Sequence, residues 1–208
     1  MNEHPTTQKI ARLIRARYPV IAVNSHEEAR VADHLIEAAK GLGFTLTTWT
    51  ITRGLTQVHP EPDVPNDGYQ WADPVAALQH VIEIGAPTYR EPNGPRALFV
   101  FKDLHPWLSG EQSDKVVIRA LRDAAAQLSR RHQSVILLQP GLEIPADLEK
   151  DVAVVDFPLP TAEELWEQVS RFIDNLPDGV DCDLNGGREQ VVRALQGLTT
   201  VEADAVLA

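Results

Sequence analysis

The 208-residue chain has 19 lysines and arginines against 30 aspartates and glutamates, a formal net charge of −11 at pH 7, and 43% hydrophobic residues. A net negative field of this size repels a polyanion, so no nucleic-acid partner is expected. The single cysteine, Cys182, excludes an intramolecular disulfide and fits a cytoplasmic location, and no apolar run approaches the roughly 18 residues of a membrane span.

Apolar periodicity, turn residues and helix caps predict alternating helices and strands up to about residue 156 and only helices after it. The clearest helix starts are Asp73 followed by Pro74 and three Ser/Thr-x-x-Glu capping boxes, which begin at Ser25, Thr161 and Thr199. The predicted strands cover residues 19–24, 44–52, 97–101, 134–138 and 152–155. The predicted helices cover residues 7–17, 26–40, 74–84, 113–131, 162–176 and 188–195, and a last one begins at residue 200. Gly41 and Gly43 end the helix over 26–40, and a long loop is predicted over 53–70.

Alternating strands and helices favour a parallel sheet covered by helices on both faces. We therefore predict an α/β domain over residues 1–158, with a P-loop-NTPase-like sheet of about five strands, and a small all-helical, lid-like subdomain over residues 159–208. The chain stops at Ala208, about two turns into a capped helix. From this we expect the natural polypeptide to continue.

The junction between the first strand and the next helix lacks the features of a phosphate-binding loop. Such a loop needs glycines and a lysine so that backbone N–H groups can surround the phosphate, but this junction contains Glu27 and Glu28 and no glycine. Each carboxylate would repel a phosphate at about 4 Å by roughly 1–4 kcal/mol. No Gly-x-x-x-x-Gly-Lys-Ser/Thr occurs anywhere in the sequence, and the junction is not expected to hold ATP.

Two pairs of residues are candidate site residues. Lys102 and Asp103 follow the predicted strand 97–101, at the sheet edge where P-loop ATPases place a magnesium-binding aspartate. Leu104 occupies the position of the second carboxylate, so a capping or loop role for Asp103 is favoured over a metal role. Arg119 and Arg122 lie three residues apart on one helix and form either a contact with an acidic protein surface or local ion pairs. The histidines have no metal-ligand spacing, and no metal site is expected.

Several strings, in this order, resemble the N-terminal half of AAA-type ATPases found in bacteria and plastid genomes (the ycf type). Together they span nearly the whole chain. The strings are Glu27-Glu28-Ala29-Arg30; Trp49 with Gly54-Leu55; Asp73-Pro74 with Ala77-Leu78; Phe99 with Lys102-Asp103-Leu104-His105; Arg119-Ala120-Leu121-Arg122-Asp123; Ile144-Pro145 with Leu148-Glu149-Lys150; Asp156-Phe157-Pro158-Leu159-Pro160; and Gly197-Leu198-Thr199 with Glu202-Ala203.

The resemblance implies that this chain is a degenerate AAA module without a Walker A motif, followed by an intact ATPase module. ATP and magnesium are then expected only in that downstream module, whose catalytic residues have no counterparts here. The implied partners are proteins: the AAA module in cis, with a homo-oligomer left open.

The leading hypothesis is therefore a non-catalytic module that serves assembly, regulation or substrate engagement for a downstream ATPase. One alternative is a domain that still binds a nucleotide through a non-standard site at Lys102 and Asp103. Another is a stand-alone adaptor that binds other proteins.

Overall fold

The computed structural model describes residues 4–62, 69–141, 143–177, 184 and 186–208; Cys182 lies outside these residues. The chain divides into two units, Met1–Phe157 and Pro158–Ala208. The strands are β1 (Val20–Asn24), β2 (Thr45–Thr50), β3 (Gly54–His59), β4 (Ala97–Lys102), β5 (Gln133–Gln139) and β6 (Val152–Asp156). The helices are α1 (Pro5–Arg15), α2 (Glu28–Leu42), α3 (Pro74–Ile84), α4 (His105–Leu108), α5 (Lys115–Leu128), α6 (Ala162–Asp174), α7 (Gly187–Leu195) and α8 (Thr200–Leu207), with short 3₁₀ turns at Tyr69–Trp71 and Ala146–Leu148.

The six strands form one sheet in the order β3-β2-β4-β5-β1-β6. Five of them are parallel, and β3 alone pairs antiparallel, with β2. This confirms the predicted α/β fold, although the sheet has six strands where about five were predicted and is parallel except for β3. The loop predicted over 53–70 is wrong in its first part, because β3 lies there. Gly54, with a φ of 64°, turns the chain back after a tight turn in which the Arg53 N–H donates to Thr50 O at 3.3 Å.

Alternating side chains of the central strands point to two separate cores, one on each face of the sheet. In β5, Val135 and Leu137 pack on the face covered by α3 and α5, whereas Ile136 and Leu138 pack on the face covered by α1 and α2. All seven residues of β5 are buried, as expected for a central parallel strand covered on both sides. Because the sheet is packed on both faces, the residues at the ends of its strands are held in fixed positions.

The helix starts follow the caps that the sequence predicts in three of four cases. Asp73 Oδ1 accepts the Ala76 N–H at 2.8 Å, and the capping boxes at Thr161 and Thr199 are both complete. Hydrogen bonds from the backbone and hydroxyl of Thr199 lower the pKa of Glu202, since they favour the charged carboxylate. The predicted capping box at Ser25 does not form, because Ser25 Oγ accepts the N–H of Glu27.

The second unit has its own small core. Helices α6, α7 and α8 bury four apolar side chains between them: Leu165, Val169, Leu195 and Ala203. Gln168 on α6 ties α8 to this core through its side-chain amide, which donates to Thr200 O at 2.6 Å. Within the residues that the structure describes, no helix is both long and apolar enough to cross a membrane.

The turn before β4 depends on a glycine. Gly94 has a φ of +72°, and a Cβ built on it would lie 2.5 Å from Gly85 O and 2.9 Å from the Gln133 amide nitrogen. That amide donates to Gly85 O at 3.0 Å and to Pro95 O at 2.9 Å. An added methyl group would therefore push apart a buried hydrogen-bonded contact.

We expect Gly94→Ala to lower the free energy of unfolding by about 3 kcal/mol, from left-handed strain and the disturbed buried hydrogen bonds. Gly110→Ala is the matched control, because its φ is +75° but nothing lies within 4 Å of the added Cβ. That variant is expected to lose only the backbone contribution of about 1 kcal/mol. Urea denaturation of both variants measures the difference, and equal losses would contradict the close contact.

Candidate functional site

The parallel strands end at one edge of the sheet, where α/β proteins place their ligands. At this edge the segment Asn24–Glu28, which we call the first βα corner, joins β1 to α2. Asn24 anchors it on both sides: its side-chain oxygen accepts the Gly141 N–H at 3.0 Å, and its carbonyl accepts the Phe157 N–H at 3.2 Å. The Ser25 N–H donates to Gln139 O at 3.1 Å. The corner is thus bonded to the chain that follows β5 and β6.

The predicted capping box of Ser25 and Glu28 is wrong. Ser25 Oγ accepts the Glu27 N–H at 3.0 Å, two residues on, and α2 begins at Glu28 with Glu27 as its N-cap residue. The serine therefore closes a tight turn before the helix instead of capping it. The Glu28 carboxylate lies 2.9 Å from Lys102 Nζ. The helix also continues through Gly41, and Gly43 in the left-handed conformation ends it.

Glu27 forms a buried ion pair with Arg30, one turn further along α2. The two side chains are only 4% and 8% exposed, and the Arg30 guanidinium also lies 4.7 Å from the centre of the Phe157 ring. From the sequence, Glu27 is expected to be a charge that repels phosphate. In the structure it is instead a buried structural carboxylate, and its Glu-x-x-Arg spacing is too common on helices to have revealed this.

Lys102, one of the candidate binding residues, lies against the first βα corner. Its ammonium group pairs with Glu28 across the sheet edge, and the side chains are 22% and 45% exposed. Each of the two glutamates of the corner thus has a cationic partner, Arg30 for Glu27 and Lys102 for Glu28. Lys102, which could otherwise bind a phosphate, is thus bonded to a carboxylate.

Asp103 adopts the left-handed conformation with a φ of 54°, which aspartate tolerates better than most residues. Its N–H donates to Leu138 O at 3.0 Å, which fastens the end of β4 to β5. Its carboxylate is half exposed and lies 4.0 Å from His105 Nδ1, a nitrogen with no hydrogen-bond partner among the described residues. Asp103 and His105 belong to the start of α4, a short helix that the sequence did not predict.

Arg119 and Arg122 are both exposed on α5, and each has an acidic neighbour within the chain. Arg119 makes two hydrogen bonds to Asp123, four residues on, and Arg122 lies 3.7 Å from Asp147 in the second 3₁₀ turn. The structure does not bring these arginines to the first βα corner. Their contact with another protein stays a prediction.

The first βα corner does not fit Mg·ATP. The Glu27 N–H is already bonded to Ser25, two carboxylates occupy the helix start, and the nearby lysine is held by one of them. A triphosphate placed here would have to displace these bonds against the charge of both glutamates. Within the described part of the chain there is also no group of three or more histidine, cysteine, aspartate or glutamate side chains that would hold a metal ion.

Comparison with known proteins gives a family from the sequence and a similar fold from the structure. Residues 6–157 match the family described as SpoVK-like AAA ATPase, N-terminal domain. Two curated relatives are uncharacterized AAA domain-containing proteins ycf46, from Trieres chinensis (28% identity over 196 residues) and Guillardia theta (29% over 200 residues). The matches cover 94% of this chain but 36% and 35% of those proteins, so the chain spans about a third of their length.

The fold is similar to that of a chain in the solved structure of the E. coli MS115-1 HORMA:CdnC:Trip13 complex, with a TM-score of 0.53 and 12% sequence identity. The match covers 89% of this chain and 62% of that one. At this identity the likeness concerns the fold alone.

Proposed function

Because the chain belongs to the family of SpoVK-like AAA ATPase N-terminal domains, we propose that it is a degenerate, non-catalytic module that serves an ATP-hydrolysing module of the same protein. Its role is assembly, regulation or substrate engagement. ATP and magnesium bind in the other module, and the partner of this chain is protein: that module in cis, or further copies of the chain.

The observation that supports this proposal is the charge-compensated first βα corner. A nucleotide-binding corner presents open N–H groups and a free lysine toward the ligand. Here Glu27 and Glu28 take those places, and Arg30 and Lys102 neutralise them. The family's fold is kept while the contacts that phosphate requires are replaced by contacts within the chain.

We expect isothermal titration of the chain with Mg·ATP to give no saturable heat at micromolar concentrations, because neither carboxylate can leave the corner without breaking an ion pair. Titration with magnesium chloride alone corrects for dilution and metal binding. Saturable uptake of Mg·ATP with a dissociation constant in the micromolar range would overturn the non-catalytic assignment.

A second candidate function is nucleotide binding at Lys102 and Asp103, which the left-handed backbone of Asp103 favours, since strained residues concentrate at functional sites. If Mg·ATP does bind, Asp103→Ala distinguishes this route. Loss of binding in a variant that keeps its circular-dichroism spectrum and melting temperature would place the nucleotide at the end of β4. Unchanged binding would exclude Asp103.

A further inference from the structure

Three cationic or titratable residues gather at the opposite, amino-terminal edge of the sheet. Arg96 directly precedes β4, His132 directly precedes β5, and Arg17 lies three residues before β1. These strands are neighbours in the order β4-β5-β1. Because parallel strands begin at the same edge, the topology brings the three side chains together from distant parts of the sequence.

Arg17 and His132 are in direct contact. Arg17 Nη2 lies 2.9 Å from His132 Nε2, and since a guanidinium only donates, Nε2 is the acceptor and the ring proton sits on Nδ1. Arg17 makes this contact from a left-handed conformation with a φ of 60°, which is uncommon for a residue other than glycine. The histidine is thereby held neutral beside a fixed positive charge.

Arg96 and His132 line an open cleft of about 460 Å³, a volume within the range of small-molecule sites. The other lining residues are small or uncharged, apart from Glu91. Arg96 is positioned by a bond from its guanidinium to Leu42 O at 3.3 Å and by the Phe44 ring, whose centre lies 6.0 Å away.

The cleft has excess positive charge. Among the residues that the structure describes, no carboxylate lies within 4.0 Å of the guanidinium of Arg17 or Arg96. The one acidic residue on the wall, Glu91, is exposed. Burial, and then the charges of Arg17 and Arg96, lower the pKa of His132. In a chain with a net charge of −11, this is a local concentration of cations.

The carboxyl end of α5 does not explain the concentration of positive charge at this edge of the sheet. The helix predicted over 113–131 would place Arg130, Arg131 and His132 at its carboxyl end, where positive charge is favourable, but α5 ends at Leu128. The Arg131 guanidinium instead donates to Ile82 O at 2.8 Å and to Gln127 Oε1 at 3.3 Å, so it closes the end of α3. His132 takes no part in these bonds and lines the cleft.

We propose that the cleft of Arg96 and His132, backed by Arg17, binds the phosphate group of a small molecule. A phosphate dianion offers three acceptor oxygens to the guanidinium fork and to the imidazole N–H. Its charge also favours protonation of His132. A protonated imidazole no longer accepts from Arg17, which frees that guanidinium to bond the same anion.

The test is titration with inorganic phosphate and with sulfate, followed by ¹⁵N–¹H NMR of the backbone and of the His132 ring at constant ionic strength set with sodium chloride. We expect saturable shifts confined to residues 91–96, residue 132 and their neighbours. Arg96→Ala is expected to weaken binding about tenfold, about 1.4 kcal/mol. Arg53→Ala, which removes an exposed arginine at the other edge of the sheet, is the control and should change affinity less than about twofold.

Sulfate also tests the role of the histidine, because its charge does not change between pH 6 and pH 8. Anion binding raises the lowered pKa of His132, so a proton is taken up and sulfate binds more tightly as the pH falls, by at most about tenfold per pH unit. His132→Gln should remove this dependence while Arg96→Lys keeps it.

Glycerol 3-phosphate distinguishes the source of the phosphate: tighter binding than inorganic phosphate indicates an organic ligand, and equal binding indicates the free ion. Shifts that do not saturate, or affinities equal in Arg96→Ala and Arg53→Ala, would overturn the proposal.

Discussion

Replacing Glu27 with alanine is expected to lower the free energy of unfolding by about 3–5 kcal/mol, whereas the same change at Glu28 costs less than about 1 kcal/mol. The two residues are adjacent in sequence, and both carboxylates pair with a cation. They differ in exposure, since the side chain of Glu27 is 4% exposed and that of Glu28 is 45% exposed. The pair of variants therefore separates burial from the mere presence of an ion pair.

The large cost at Glu27 comes from its partner. Removing the carboxylate takes away the counter-charge that lies against the buried Arg30 guanidinium, and removing one partner of a buried ion pair is costly. The guanidinium also lies over the Phe157 ring, and a cation–π contact of this kind contributes about 0.5–2 kcal/mol, less than the expected loss. Lys102, the partner of Glu28, can instead turn toward water when its carboxylate is removed.

Urea denaturation at neutral pH measures both losses. The double variant Glu27→Leu with Arg30→Met is a further check, because replacing a whole buried ion pair with apolar side chains is often nearly neutral. We expect it to recover most of the stability lost in Glu27→Ala. A loss at Glu27 no larger than at Glu28 would mean that the carboxylate of Glu27 is hydrated, and would weaken the argument that the corner is closed to phosphate.

The chemistry of the first βα corner could be predicted from sequence only in part. The absence of glycine and the presence of two glutamates are visible in the sequence, and they are the basis for predicting a corner unlike a phosphate-binding loop. Which carboxylate is buried and which cation pairs with it was not predictable. Lys102 reaches Glu28 only because β4 and the start of α2 meet at one edge of the folded sheet.

More of the fold than of the candidate site could be predicted from the sequence. Central strands such as β4 and β5 are continuous apolar runs, because both of their faces are covered, and such runs are conspicuous. The edge strand β3 was taken for loop because its sequence carries only one large buried residue, Leu55, among polar neighbours. A strand at the rim of a sheet needs little apolar surface, so its pattern resembles that of a loop.

The cleft at the amino-terminal edge of the sheet could not be predicted from the sequence either. Arg17, Arg96 and His132 are separated by up to 115 residues in sequence. No local motif connects them, and Arg130-Arg131-His132 has the composition of an ordinary helix end. Only the strand order β4-β5-β1 places them together.

Trp49→Ala is expected to cost about 3–5 kcal/mol, the range for deleting a fully buried aromatic side chain. Trp49 is fully buried and stacks on Phe101 of the neighbouring strand, with ring centres 5.2 Å apart. Its indole N–H donates to Trp71 O at 2.7 Å. The side chain thus joins the sheet to the 3₁₀ turn before α3, and alanine would leave both a cavity and a carbonyl without its donor.

Trp49→Phe separates these two contributions, because it keeps most of the ring and removes only the N–H. We expect it to lose about 1–3 kcal/mol, from the unsatisfied carbonyl and the smaller ring. Trp107→Ala is the matched control: Trp107 also contacts Trp49, with ring centres 6.3 Å apart, but it is only partly buried. Its loss should be clearly smaller. Thermal and urea unfolding of the three variants would contradict this ranking if Trp107→Ala were the most costly, since the centre of this core would then lie at α4 and not at the end of β2.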